Sequence, residues 1–133
     1  MDCTLVEDKT FTINEVAALF KVSDHTLRYY EKIGLIFDIK RDSCGRRVYS
    51  SRNLNWLNFL MCFKNTGMPL EKIKAYVDLM HDGEITATLR KQIMLDHKEK
   101  VENQIEELSK NLEMINYKIS YYQKIEENVK HLI

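Results

Sequence analysis

The 133-residue chain is 44% hydrophobic and 30% charged, a composition that predicts a globular protein of one compact domain with room for one appendage. Net charge is zero, no stretch approaches a membrane-spanning run, and the opening MDCTLVEDKT lacks the basic and apolar regions of a signal peptide, so a span and a leader are both excluded. Cys3, Cys44 and Cys62 form no C-x-x-C pair and predict a reducing cytoplasm, while four glycines and one proline leave little for phosphate loops or a turn-rich β fold.

The first helix signal is Thr12-Ile13-Asn14-Glu15, a capping box with Phe11 placed to staple onto Val16. Ile13, Val16, Ala17 and Phe20 then recur on one helical face, and the helix ends near Phe20 or Lys21. Ser23 caps a second helix through Ile33, closed by Gly34. Two short helices joined at Lys21-Val22-Ser23 form a helix-turn-helix. Residues 35–50 read as a small β-hairpin. Leu35-Ile36-Phe37 is an apolar run, Arg41 to Gly45 a turn cluster, and Arg46-Arg47-Val48-Tyr49 a cationic strand. Helices follow from Ser51 to about Thr66 and from Leu70 to about His81, broken by Gly67-Met68-Pro69 and Asp82-Gly83.

From about Thr86 the pattern lengthens. Val101, Ile105, Leu108, Leu112, Ile115, Ile119 and Tyr122 repeat at alternating steps of four and three between Glu- and Lys-rich flanks. Heptads of this kind predict a coiled coil. A helix over 86–126 is roughly 60 Å long, too long to pack on so small a body, and its stripe is most simply covered by a second copy. A back-folded helical hairpin would also cover it, but no turn signal interrupts the run. The reading is therefore mainly α: a winged helix-turn-helix DNA-binding domain with connecting helices over 10–82, then a coiled-coil dimerisation helix over 84–133.

Charge is unevenly spread. Residues 21–64 carry nine bases against four acids, whereas residues 65–133 carry ten bases against twelve acids. A basic segment joined to an acidic one fits a nucleic-acid module attached to another function. Enzyme signatures are missing. His25, His81, His97 and His131 stand far apart, no local metal spacing occurs, and no Walker, G-x-S-x-G or G-x-G-x-x-G motif is present. No cofactor, metal or catalytic residue is expected. In SDHTLRYYEKIGLI, Asp24, His25 and Thr26 open the second helix, where side chains reach base edges, and Arg28 and Tyr29 lie one turn on, suited to phosphates. Leu27 and Tyr30 read as core.

LRYYEKIGLI, preceded by TINEVAALF and followed by GRRVYS and FKNTGMPLEKI, resembles the MerR family of bacterial transcription regulators. The similarity is dense over residues 10–80, and the long last helix agrees in form. The resemblance implies an antiparallel coiled-coil homodimer that binds double-stranded promoter DNA with an overlong spacer and distorts it, so that RNA polymerase, an indirect partner, reads both promoter elements. It places DNA contacts on Arg28, Tyr29, Arg47, Tyr49 and Lys64. One departure is Arg46, where the family's wing often carries an aromatic; here it offers a further phosphate contact. FLMCFKNTG resembles the branch that responds to aldehydes and thiol-reactive stress through a lone cysteine, which makes Cys62 the candidate sensing thiol. On a helical wheel Cys62 aligns with Asn55, Asn58 and Asn65, a polar stripe. The competing reading is a small hydrophobe covered by the partner's long helix; Cys3 and Cys44 read as incidental. The alternative function is a non-catalytic coiled-coil adaptor whose winged domain contacts protein.

Overall fold

A computed structural model of the chain describes residues 9–132; Cys3 and most of the acidic N-terminal stretch lie outside them. The elements in order are β1 (Thr10–Thr12), α1 (Ile13–Phe20), α2 (Asp24–Lys32), β2 (Lys40–Arg41), β3 (Arg47–Ser50), α3 (Ser51–Asn65), α4 (Leu70–His81), a 3-10 turn (Glu84–Thr86) and α5 (Ala87–Leu132). The expected capping box is formed. Glu15 N–H donates to Thr12 Oγ1 at 3.2 Å, and Thr12 N–H donates back to Glu15 Oε1 at 2.8 Å. Ser23 caps α2 through the Thr26 N–H at 3.0 Å. At the end of α2, Gly34 N–H donates to Glu31 O and Leu35 N–H to Tyr30 O, a Schellman closure with Gly34 at φ +86°. An added Cβ at Gly34 would stand 3.1 Å from Cε of the flexible Lys74 side chain, which can yield, so it is the positive φ that favours glycine there.

The hairpin differs from the sequence reading. Leu35-Ile36-Phe37 forms no strand; Leu35 and Ile36 are buried in the core, and the first hairpin strand is the two-residue β2. A short apolar run does not distinguish a strand from a core loop, and here packing decided. The sheet has the order β1-β3-β2, antiparallel throughout. Phe11 pairs with Tyr49 on one side of β3, and Arg41 pairs with Arg47 on the other. β1 was not foreseen: Phe11 lies in a strand as well as beside a helix cap.

The chain divides into two compact units, one through Arg90 and one from Lys91. In the first, the core gathers Val16, Leu27, Tyr30, Leu35, Ile36, Tyr49, Leu57, Leu60, Phe63, Met68, Ile73 and Val77. Fully burying a side chain of this size contributes roughly 1.5–3 kcal/mol. Trp56 anchors α3 to the preceding loop by donating to Leu35 O at 2.7 Å, and its ring lies parallel to that of Tyr76 in α4. Buried Thr86 closes the α4 end, donating to Leu79 O at 2.6 Å.

The second unit is helix alone. α5 runs 46 residues without a break, about 70 Å. Among its described residues none is buried. The seven stripe residues all lie on it; Val101 is half-buried, while Ile105, Leu108, Leu112, Ile115, Ile119 and Tyr122 are exposed. Among the described residues no helix is long and apolar enough to cross a membrane.

Candidate nucleic-acid interface

The outer face of α2 is set by what its inner face buries. With Leu27 and Tyr30 in the core, His25, Arg28, Tyr29 and Lys32 fall on the exposed side. His25 is open at the helix start. Asp24 pairs with Arg28, Oδ2 to Nη1 at 2.9 Å, both side chains about half exposed. Thr26 is less available than expected, because its hydroxyl shares a hydrogen bond with Ser23 Oγ at 2.8 Å. Tyr29 is half exposed, its ring tilted against Tyr30.

The wing tip is built by Asp42. Its Oδ1 accepts from the Cys44 and Arg46 N–H groups, both at 2.9 Å. The Arg46 N–H is the main reason this carboxyl lies below its usual range; desolvation, the next largest effect, opposes it, and the Cys44 N–H and the Arg46 charge add to the lowering. Arg46, the most exposed arginine of the ion pairs, sits 3.4 Å from Asp42 through Nε. Arg41 donates to Gly45 O at 2.9 Å, and Cys44 is exposed at the tip.

Helix start and wing share one open groove of about 840 Å³, lined among others by Thr12, Asn14, Arg28, Arg41, Arg46 and Arg47. Three guanidiniums beside the start of α1, those of Arg28, Arg41 and Arg46, suit a phosphate backbone passing through, while that of Arg47 is held by Glu31. Arg41 lines the groove although the sequence reading did not single it out; the hairpin sets it opposite Arg47.

Three residues expected as contacts are engaged within the fold: Tyr49, Arg47 and Lys64. Tyr49 is 0% exposed, and its hydroxyl is buried without a hydrogen-bond partner among the described residues, so this structure makes it a core residue where the sequence reading had a DNA contact. Pairing with Phe11 in the central strand turns its ring inward. Burial, then the nearby Glu31 charge, pushes the Tyr49 phenol up from its ordinary value. Arg47 is half-buried, its Nε donating to Glu31 Oε1 at 2.7 Å. Lys64 is exposed, but its ammonium is engaged with the Tyr30 hydroxyl. Its Nζ lies 5.2 Å from the ring centroid, beyond that hydroxyl, so the contact is made end-on to the phenol oxygen.

Cys62 lies away from this groove's lining, exposed near the end of α3. Asn55, Asn58 and Asn65 are exposed with it, while Leu57, Leu60 and Phe63 are buried, which is the division the helical wheel predicts. Among the described residues no group of three His, Cys, Asp or Glu side chains is placed to hold a metal ion.

Two capped helices, a hairpin wing and a shared cationic groove define a winged helix-turn-helix DNA-binding protein. Residues 11–79 match the family model described as MerR HTH family regulatory protein, and residues 54–116 match that described as MerR, DNA binding. The chain is 36% identical to an HTH-type transcriptional regulator of Haemophilus influenzae over 115 residues, 86% of its own length and 85% of that protein's. It is also 36% identical to the transcriptional regulator AdhR of Bacillus subtilis over 89 residues, 67% of this chain and 64% of AdhR. Among solved structures it is similar to HiNmlR, a MerR family regulator lacking the sensor domain and bound to promoter DNA. The TM-score is 0.79 at 36% identity, covering 87% of this chain and 92% of that one. The chain belongs to the MerR family; it is a DNA-binding transcription regulator and not an enzyme.

Proposed function

We propose that the protein is a homodimeric regulator that grips an overlong promoter spacer and distorts it. In this reading residues 10–82 read DNA and residues 84–133 dimerise. The observation that carries the proposal is the groove that joins the start of α2 to the wing, with Arg28, Arg41 and Arg46 along one surface. Asp24, His25 and, less freely, Thr26 address base edges in the major groove. Arg28, Tyr29 and Arg46 lie against flanking phosphates, and Lys64 joins them by leaving the Tyr30 hydroxyl. The uncovered apolar stripe of α5 supports a two-fold partner of the same sequence, in antiparallel register as in the family resemblance. Bending the spacer changes the angle between the two promoter elements met by RNA polymerase.

The same reading assigns the effector response to Cys62 and electrophilic or oxidative stress. Exposure of the thiol and the resemblance of FLMCFKNTG to the stress-responsive branch support it. An adduct here would shift the packing of α3 against the partner helix and rotate the DNA-binding units.

The test is binding and transcription with a duplex from the gene's own upstream region. Wild type should bind with marked salt dependence and alter transcription with an aldehyde or oxidant present. Cys62→Ser should bind equally well and not respond. A full response in Cys62→Ser removes the sensor assignment; salt-insensitive or absent binding removes the DNA-binding role.

A further inference from the structure

We propose that Arg47 is a positioning residue that ties the wing to the recognition helix through Glu31, a role distinct from phosphate binding and resting on the DNA-binding reading above. Three arginines of the interface hold a carboxylate, and they differ in kind. Arg28–Asp24 and Arg46–Asp42 each join residues four apart on one local element and stand in solvent. Such pairs contribute little and can trade the carboxylate for a phosphate at small cost. Arg47–Glu31 joins residues sixteen apart, from β3 to the last turn of α2, with side chains only 21% and 26% exposed.

Opening that pair to bind phosphate would leave the Glu31 carboxylate half-buried, unpartnered and facing the negative charge of DNA. The strand pairing reinforces it. Arg41 and Arg47 stand opposite each other across β2 and β3 on one face, where like charges repel. Arg41 turns away to Gly45 O, and Glu31 neutralises Arg47. Two residues further along the same face of β3, buried Tyr49 gives the pair a solid backing. Glu31 and Arg47 thus set the distance between the helix that enters the major groove and the wing tip that carries Arg46. That spacing is what lets both elements engage one duplex at once.

The consequence runs against simple charge counting. Glu31→Gln removes a negative charge close to DNA, and electrostatics alone predicts tighter binding. A positioning role predicts weaker specific binding, by about tenfold, with an unchanged salt slope. Fluorescence anisotropy of the full chain on the upstream duplex, at several salt concentrations, reads both quantities. Arg47→Ala should match Glu31→Gln, and the exchange Glu31→Arg with Arg47→Glu should recover most of the loss. Hydrogen exchange at the Arg47–Ser50 amides gives a readout free of DNA; it should quicken in Glu31→Gln while the α3 amides stay protected. The proposal is overturned by Glu31→Gln binding as tightly as wild type, or by Arg47→Ala lowering the salt slope by about one phosphate contact. Unchanged exchange in the wing overturns it as well. Failure of the wild type to bind any duplex would instead remove the DNA-binding reading, and this role with it.

Discussion

The two units of the chain use the same apolar side chains and treat them oppositely. In the first, Leu27, Leu35 and Leu57 are fully buried; in the second, Leu108 and Leu112 are 67% and 56% exposed. The difference is one of layers. Capped helices that turn back on each other and on a three-stranded sheet supply a second surface for every apolar face. The helix from Lys91 onward offers no such surface within its own unit and buries none of its described residues, so its stripe is a demand for a partner. The folding energy of one unit is therefore intramolecular. That of the other is expected to depend on concentration.

The largest expected effects separate these two cases. Leu57→Ala should lower stability by roughly 2–5 kcal/mol at any protein concentration. Leu108→Ala with Leu112→Ala should cost a similar amount per side chain, but in the dimer equilibrium, with the first unit still folded. Sedimentation equilibrium together with thermal melts at two concentrations distinguishes them. A double variant that remains dimeric at micromolar concentration would mean that α5 is not the seam. Because half-sites are read jointly, the same variant should also lose operator affinity.

Next in size are effects within the first unit, where base readout and phosphate contact should part company. His25→Ala should relax discrimination at one base pair, worth roughly 1–3 kcal/mol for a good contact. Arg28→Ala and Arg46→Ala should weaken all duplexes alike and lower the salt slope by about one phosphate each. Competition with single-base operator variants, combined with salt titration, shows which behaviour each residue follows.

The smallest effects are those of pH. The Tyr49 phenol is raised, so its share of stability is intact below the ordinary tyrosine value of about 10 and declines as pH rises through the higher folded value. Tyr49→Phe should flatten that alkaline decline and leave operator affinity at neutral pH within about twofold, since its hydroxyl pairs with nothing among the described residues. A clear loss of affinity would show that the hydroxyl reaches DNA after all. Asp42 has the opposite sign. Its lowered carboxyl contributes to the wing turn above the usual value of about 4, and the contribution is lost as pH falls through the lower folded value. Hydrogen exchange at the Cys44 and Arg46 amides should report it.

Local signals alone were enough to place much of the molecule. Thr12 with Glu15, Ser23 before α2 and Gly34 after it act within a few residues, so the helix-turn-helix is legible in the primary structure. The stripe from Val101 to Tyr122 is also local, being a matter of period, and α5 carries it as expected. The polar stripe that exposes Cys62 follows from the same helical arithmetic.

Only the tertiary structure decided how side chains of similar chemistry divide between surface and core. Arg46 and Arg47 are neighbours in sequence; one is solvated at the wing tip and the other is held by Glu31 from another element. Tyr29 and Tyr30 are divided by helix phase, but Tyr49 was drawn inward by a strand partner, β1, that no local pattern announced. The fate of Leu35-Ile36-Phe37 was likewise settled by the core waiting above it and not by β propensity. Periodicity and caps are set by bonds that close within a turn of chain, whereas ion pairs and burial between elements depend on distances that exist only once the layers have met.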